Sequence, residues 1–220
     1  MTSLSPGALF DIDGTLLDTN YLHVVAWWRA FRDTGHDEVD MASIHHSIGQ
    51  ASPDLVERLL GKPDEDTVEA HSRRFQDLQP LAEAFPRAGE LVRACAGLGR
   101  TAVYATSAKE SDLEWMLPMI GAGDAVSGVT SSGDVEQSKP DPDILHISMD
   151  KHGLDPARTV VVGDTVWDIR AAKNADLPCI GLRCGGISED ELRDAGAVEV
   201  YGGPAELLDR LGESLLRPES

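Results

Sequence analysis

Residues 7–19 read Gly7-Ala8-Leu9-Phe10-Asp11-Ile12-Asp13-Gly14-Thr15-Leu16-Leu17-Asp18-Thr19, and the change of character within them decides the fold. The apolar run 7–10 has the length of a buried strand and is stopped by acids. In extended backbone, residues i and i+2 project to the same side, so Asp11 and Asp13 can address one site at the strand's end. Two carboxylates this close repel unless a cation, a proton or a substrate separates their charges. A calcium loop is disfavoured, because the full D-x-[DN]-x-[DN]-G pattern with its twelfth-position glutamate is absent.

Outward from this strand, short apolar runs alternate with helical patterns. Residues 101–105, 159–162, 179–182 and 197–200 read as further buried strands, with a weaker one at 125–130. Helices are predicted near 86–95, 110–117, 142–151, 166–174 and 204–215. The alternation predicts an α/β fold with a parallel sheet covered on both faces. From 17 to 85 there is no strand pattern, only amphipathic stretches such as HVVAWWRAF and PDLVERLL. The expected organisation is a core of residues 1–16 and 86–220 and an inserted α-helical lobe, 17–85. The last residues, 217–220, are expected to fray.

Composition narrows the function. A length of 220 residues with 41% hydrophobic and 26% charged content fits one globular domain plus a modest second lobe. A formal charge of −19 disfavours nucleic acid and anionic membrane as partners. No apolar run reaches the ~18 residues of a membrane span. The N-terminus has no basic region before its apolar run, so no secretory signal is expected. Cys95, Cys179 and Cys184 have neither zinc-knuckle nor disulfide-framework spacing. A cytoplasmic monomer is expected.

Three more motifs fall at predicted strand ends. Val103-Tyr104-Ala105-Thr106-Ser107 offers a hydroxyl that can donate to a phosphoryl oxygen, with the next helix's amides beside it. Thr106 is the better candidate, since Ser107-Ala108-Lys109-Glu110 also fits a helix capping box. In Ser138-Lys139-Pro140-Asp141-Pro142, Asp141 is expected to cap a helix, leaving Lys139 outside to neutralise phosphate and carboxylate charge. Finally, Val160-Val161-Val162-Gly163-Asp164-Thr165-Val166-Trp167-Asp168 delivers Asp164 at a strand end and Asp168 one helical turn later. Asp164 suits Mg²⁺, a hard cation that takes one or two protein carboxylates. Asp168 is expected to support the site from behind it. An anionic substrate against a strongly acidic chain makes a bound divalent metal nearly obligatory. Open parallel sheets bind ligands where all four motifs fall, at the carboxyl ends of their strands.

With DIDGT, a strand-end Thr, Lys-Pro and GDxxxD in this order, the chain resembles the haloacid dehalogenase-like (HAD) superfamily, and the likeness covers nearly its whole length. The helical insert is similar to the α-helical cap of phosphoglycolate phosphatases and β-phosphoglucomutases. The resemblance implies a Rossmann-like three-layer core whose first strand is central, flanked by the strands carrying Thr106 and Asp164. It implies that Asp11 attacks phosphorus to form an aspartyl-phosphate, and that Asp13 protonates the leaving oxygen and then deprotonates water. Mg²⁺ would be held by Asp11, the main-chain carbonyl of Asp13, and Asp164. Thr106, Ser107 and Lys139 would hold the phosphoryl group of a small phosphate monoester.

Two departures separate this chain from its neighbours in that superfamily. Dehalogenases lack the second aspartate, present here as Asp13. Mutases carry a cap arginine where Ser52 stands, and an acidic pair where this chain has Gly163-Asp164. Hydrolysis is therefore expected, with a phosphomutase as the alternative. A signalling receiver domain would be near 120 residues and carry its acceptor on the third strand. A non-catalytic relative would usually lose one of the four polar motif residues. The candidate cap contacts are His23, His45, His46, Gln50 and Arg58, of which His23 lies nearest the hinge. Trp27 and Trp28 are expected to pack the lobe.

Overall fold

The computed structural model describes residues 4–218. Strand β1 (Ser5–Phe10) is followed by four helices: α1 (Asn20–Asp33), α2 (Met41–His45), α3 (Ser52–Leu60) and α4 (Glu65–Gln76). The chain continues through α5 (Ala88–Gly97), β2 (Thr101–Ala105), α6 (Glu110–Ile120), β3 (Val126–Thr130) and α7 (Asp143–His152). It ends with β4 (Leu154–Gly163), α8 (Val166–Asn174), β5 (Cys179–Leu182), α9 (Glu189–Ala195), β6 (Glu199–Tyr201) and α10 (Pro204–Asp209). Among the described residues the strands form one parallel sheet, in the order β3-β2-β1-β4-β5-β6. The order reverses at β1, the place where doubly wound sheets open a crevice at their carboxyl edge. The fold is Rossmann-like α/β: the alternation predicted the parallel sheet, and the family resemblance implied the Rossmann-like core with β1 central.

The strands are apolar without interruption because both faces are covered. Ala8, Phe10, Tyr104, Val160 and Val162 join one cluster, with Leu91 and Val92 of α5 and Met116 of α6. Leu9, Val103, Ala105 and Val161, one residue out of step, join the other with Ile144, Leu145 and Ile169. The period-two alternation of a strand thus builds two cores from one run. A third cluster lies wholly within α1–α4, around Trp27, Phe31, Ile44, Leu55 and Val56. In α1 the buried positions Val24, Trp27 and Phe31 recur at helical spacing, and Trp27 packs inward as expected. Asp64 caps α4 by accepting from the Thr67 amide, and α3 stops at Gly61.

Several boundaries differ from the sequence reading, each for a local reason. Helix α6 runs past Pro118 to Ile120, because burial of Met116 and Ile120 outweighs one lost hydrogen bond. Helix α7 starts at Asp143 with Pro142 before it; Asp141 accepts from the Asp143 amide just outside the helix. Strand β6 starts at Glu199, not 197, since the Ala197 amide still bonds the Leu192 carbonyl at the exit of α9. Helix α9 was not foreseen, although Ser188 and Glu191 form a capping box readable as S-x-x-E.

Helix α10 ends at Asp209, well short of 215. Beyond it the Ser214 hydroxyl bonds the Leu211 carbonyl, and the carbonyls of Leu215, Leu216 and Arg217 accept from the buried Arg100 guanidinium. The same guanidinium reaches the Gly7 carbonyl of β1 and that of Arg158. Arg217 is therefore tied down rather than frayed, while residues 219 and 220 lie outside the described range. No described helix is long and apolar enough to cross a membrane.

Candidate active site

The register that pairs Phe10 with both Tyr104 and Val162 brings the ends of β1, β2 and β4 together. The Asp11 amide bonds the Val162 carbonyl, and the Thr106 amide bonds the Thr130 carbonyl of β3. Asp11, Thr106 and Asp164 therefore leave adjacent strands on one edge of the sheet. The loop carrying Lys139 folds over that edge and drives the ammonium inward.

Lys139 is the hub. Only 2% exposed, its Nζ lies 2.6 Å from Asp11 Oδ1 and 2.6 Å from Asp168 Oδ1, and 3.3 Å from the Ala105 carbonyl. Burial works against the ammonium, yet the two carboxylates outweigh it and hold its pKa well above the ordinary lysine range.

Asp168 has no oxygen to spare. Oδ1 takes the Lys139 ammonium, while Oδ2 accepts from the Thr165 amide and hydroxyl in a capping box that opens α8. Its side chain packs against Gly163, where a Cβ would stand 2.5 Å from that of Asp168. Asp164 is equally engaged: Thr15 donates to Oδ1 at 2.7 Å and Asn20 to Oδ2 at 2.7 Å.

Carboxylate oxygens of Asp11, Asp164 and Asp168 lie within 4.8 Å of one another, all buried. Ionising all three against one ammonium would leave two negative charges, which burial resists. Burial raises the Asp11 carboxyl to about 7 despite Lys139, and burial with Asp168 and Asp11 nearby pushes Asp164 well up. Such a centre fits a divalent cation of hard, oxygen-seeking character.

Asp13 sits at the opening. Its Oδ1 accepts from the Thr19 hydroxyl at 2.6 Å, and His23 Nε2 stands 3.4 Å away. Burial alone would raise its pKa; hydrogen bonding and charge from His23, with Thr19, hold it below the usual carboxylate value. The other nitrogen of His23, Nδ1, lies 3.2 Å from Nε2 of the buried His71.

Thr106 is buried, and its Oγ1 accepts from the Ala108 amide. Ser107 does not cap the next helix. That helix starts at Glu110 after Lys109, and the Ser107 hydroxyl instead donates to the Gly49 carbonyl beneath α3.

Of the candidate lobe residues, His23 and Gln50 line the cleft above the acids. His45 faces the Gly185 carbonyl, His46 faces Glu191, and Arg58 lies over the Trp167 ring. These three fasten helices to the sheet unit and are not on the cleft wall.

The sequence reading missed Asn20. At 2% exposure, its Nδ2 donates to Asp164 Oδ2 and, at 3.1 Å, to the Gly185 carbonyl. Both partners are acceptors, which fixes the amide's orientation. Gly14, at φ +74°, makes room: a Cβ there would lie 2.2 Å from that nitrogen. Thr15 and Thr165 were also passed over, although Thr165-x-x-Asp168 carries the spacing of a capping box.

Sheet order, a strand-end centre of buried acids bridged by an ammonium, and helices roofing it define a Rossmann-like α/β enzyme. The chain belongs to the haloacid dehalogenase-like hydrolase family, whose model matches residues 8–182. It is 32% identical over 200 residues to the "Probable phosphatase IndB" of Dickeya dadantii (strain 3937), covering 87% of each chain. It is 30% identical over 188 residues to the phosphoglycolate phosphatase of Vibrio vulnificus (strain YJ016), covering 80% of this chain and 82% of that one. Among solved structures, a hydrolase from Pseudomonas syringae superposes with a TM-score of 0.88 at 30% identity, over 94% of this chain and 98% of that one.

Proposed function

We propose that the protein is a Mg²⁺-dependent phosphatase that hydrolyses a small phosphate monoester through an aspartyl-phosphate on Asp11. One observation carries the reading: a buried triad of Asp11, Asp164 and Asp168 has a single ammonium, that of Lys139, to set against its three carboxyls. Asp11, the main-chain carbonyl of Asp13, and Asp164 would hold Mg²⁺. When bound, it supplies positive charge to the attacking carboxylate and to the phosphoryl oxygens.

The residues divide the work as follows. A carboxylate oxygen of Asp11 forms a bond to phosphorus while the bond from phosphorus to the ester oxygen breaks. The departing oxygen takes a proton from Asp13. That proton is favoured by the incoming phosphate's negative charge, against the hold of His23 and Thr19. Water then attacks phosphorus, Asp13 takes its proton, and the bond to Asp11 breaks. For this step Asp13 is already in the proton-accepting form. Lys139 stays fully charged and steadies Asp11 and the equatorial oxygens; Thr106 donates its hydroxyl to the same group. Asp168 locks Lys139, and so acts through it. Helices α1–α4 roof the site and exclude water from the first step. The family and the phosphatase names of the relatives described above support a phosphatase.

Purified protein with Mg²⁺ should release phosphate from p-nitrophenyl phosphate, and EDTA should abolish it. Asp11→Asn should lose about 10⁴-fold or more in kcat, as nucleophile removal does elsewhere, with an unchanged circular-dichroism spectrum. Substantial turnover by the folded variant would remove Asp11 from the mechanism.

A further inference from the structure

The cleft above Asp11 and Asp13 encloses about 230 Å³. That is below the ~300–1,000 Å³ of sites for drug-sized ligands, and suits one ring rather than a chain of them. Its wall has an unusual charge inventory. Beyond the catalytic acids, the described lining residues contain a single lysine, Lys109, and no arginine. Lys109 Nζ is bonded to Ser72 Oγ at 3.1 Å, and Asp112 shares the wall and opposes its charge. Neither imidazole of the wall is without partners. Both nitrogens of His23 are engaged, by Asp13 and by His71, and burial holds His71 uncharged.

The remaining polar surface is neutral: besides Thr106 and Ser107, it comprises Gln50, Ser52, Ser72, Gln76, Gln79 and Ser111. One of these groups is short of a partner. Gln50 Oε1 is buried without a hydrogen bond. An orphaned acceptor calls for an O–H or N–H, which a carboxylate at neutral pH cannot give and a second phosphate, mostly dianionic there, gives poorly. The same cleft is lined by aromatic rings, with His23 stacked on Phe75 at 3.8 Å and His71 on Trp27 at 3.8 Å. Flat apolar faces beside amide and hydroxyl groups suit a ring carrying C–H on one side and hydroxyls on its edge.

We infer that the leaving group is an uncharged, hydroxyl-bearing moiety the size of one sugar ring, so the substrate is a sugar monophosphate rather than a phosphorylated carboxylic acid or a bisphosphate. Gln50 is the specificity residue, accepting a hydroxyl of that ring. The inference rests on the phosphatase reading and names the substrate class of the same site.

The test is a comparison of kcat/KM on the Mg²⁺-loaded protein for ribose 5-phosphate, glucose 6-phosphate, 2-phosphoglycolate, fructose 1,6-bisphosphate and p-nitrophenyl phosphate. At least one sugar monophosphate should exceed both phosphoglycolate and the bisphosphate by tenfold or more. Equal values, or a preference for either multiply charged substrate, overturn the inference while leaving the phosphatase reading intact. Failure to hydrolyse p-nitrophenyl phosphate would instead sink that reading. In Gln50→Leu the ratio of kcat/KM for the favoured sugar phosphate to that for p-nitrophenyl phosphate should fall about tenfold, through KM. An unchanged ratio in a variant with unchanged melting temperature removes Gln50 from recognition. Conversely, Ser72→Arg adds the missing cation and should raise relative activity on phosphoglycolate; no gain would show that charge on this wall does not select.

Discussion

Removing Asn20 tests whether the start of α1 is part of the metal centre. In Asn20→Ala the Asp164 carboxylate loses a 2.7 Å donor and the Gly185 carbonyl a 3.1 Å one, both in a buried setting. A hydrogen bond to a charged group contributes about 1.5–3 kcal/mol and a neutral one about 1. The Asn20 oxygen had no partner to lose, so its removal returns part of a desolvation cost. The net loss should be about 2–3 kcal/mol in urea unfolding with EDTA present. Freed on one side, Asp164 should also hold Mg²⁺ less well, by the ~10–100-fold typical when an outer partner of a metal ligand is deleted. Isothermal titration with Mg²⁺ measures this without turnover. Asn20→Asp should be worse on both counts, because it sets a second carboxylate against Asp164 where an amide donated. Stability within about 0.5 kcal/mol of wild type, together with an unchanged Mg²⁺ affinity, would refute the reasoning.

Mg²⁺ alone should raise the melting temperature of the wild-type protein and EDTA should reverse it; at 100 times Kd the gain is about 2.7 kcal/mol. Lys139→Met should cost about 3–5 kcal/mol in EDTA by stranding Asp11 and Asp168, and Lys139→Met with Asp168→Asn should recover part of the loss in the same urea titration. Burial, then the nearby His23 and Lys109, hold the His71 imidazole well below 6.5 in the folded state. The unfolded chain therefore takes up a proton below about pH 6.5 that the native state refuses. Stability should fall by up to ~1.4 kcal/mol per pH unit from there downward, and urea midpoints of His71→Phe should lack that component between pH 6.5 and 5.5.

The strands were legible because burial on two faces leaves uninterrupted apolar runs, and acids or glycines mark where they stop. The motifs carrying Asp11, Thr106 and Asp164 could be picked out for the same reason: the fold type fixes which edge of the sheet the strand ends share. Lys139 was expected at a strand end too, but it arrives on the loop between β3 and α7. What escaped the sequence has a physical cause in each case. Asn20 looks like an ordinary polar residue at a helix start, and its partner lies 144 positions away. Helix α9 is seven residues with a single buried side chain, Leu192, too short to show a period. Ser107 and Asp141 fit local capping patterns, yet tertiary partners or a one-residue shift took them out of those roles. The histidines at 45 and 46 could not be told from cleft residues by composition; only packing shows that they face Gly185 and Glu191 instead.

Arg100 ties the far end of the molecule into this chemistry. Its guanidinium gathers carbonyls from Leu215, Leu216 and Arg217 and, through Gly7, grips the strand whose next turn presents Asp11. Residues 215–217 are thus a clasp on the strand that leads into Asp11. Losing them would strip the buried guanidinium of three carbonyl partners while it still holds Gly7, four positions before Asp11.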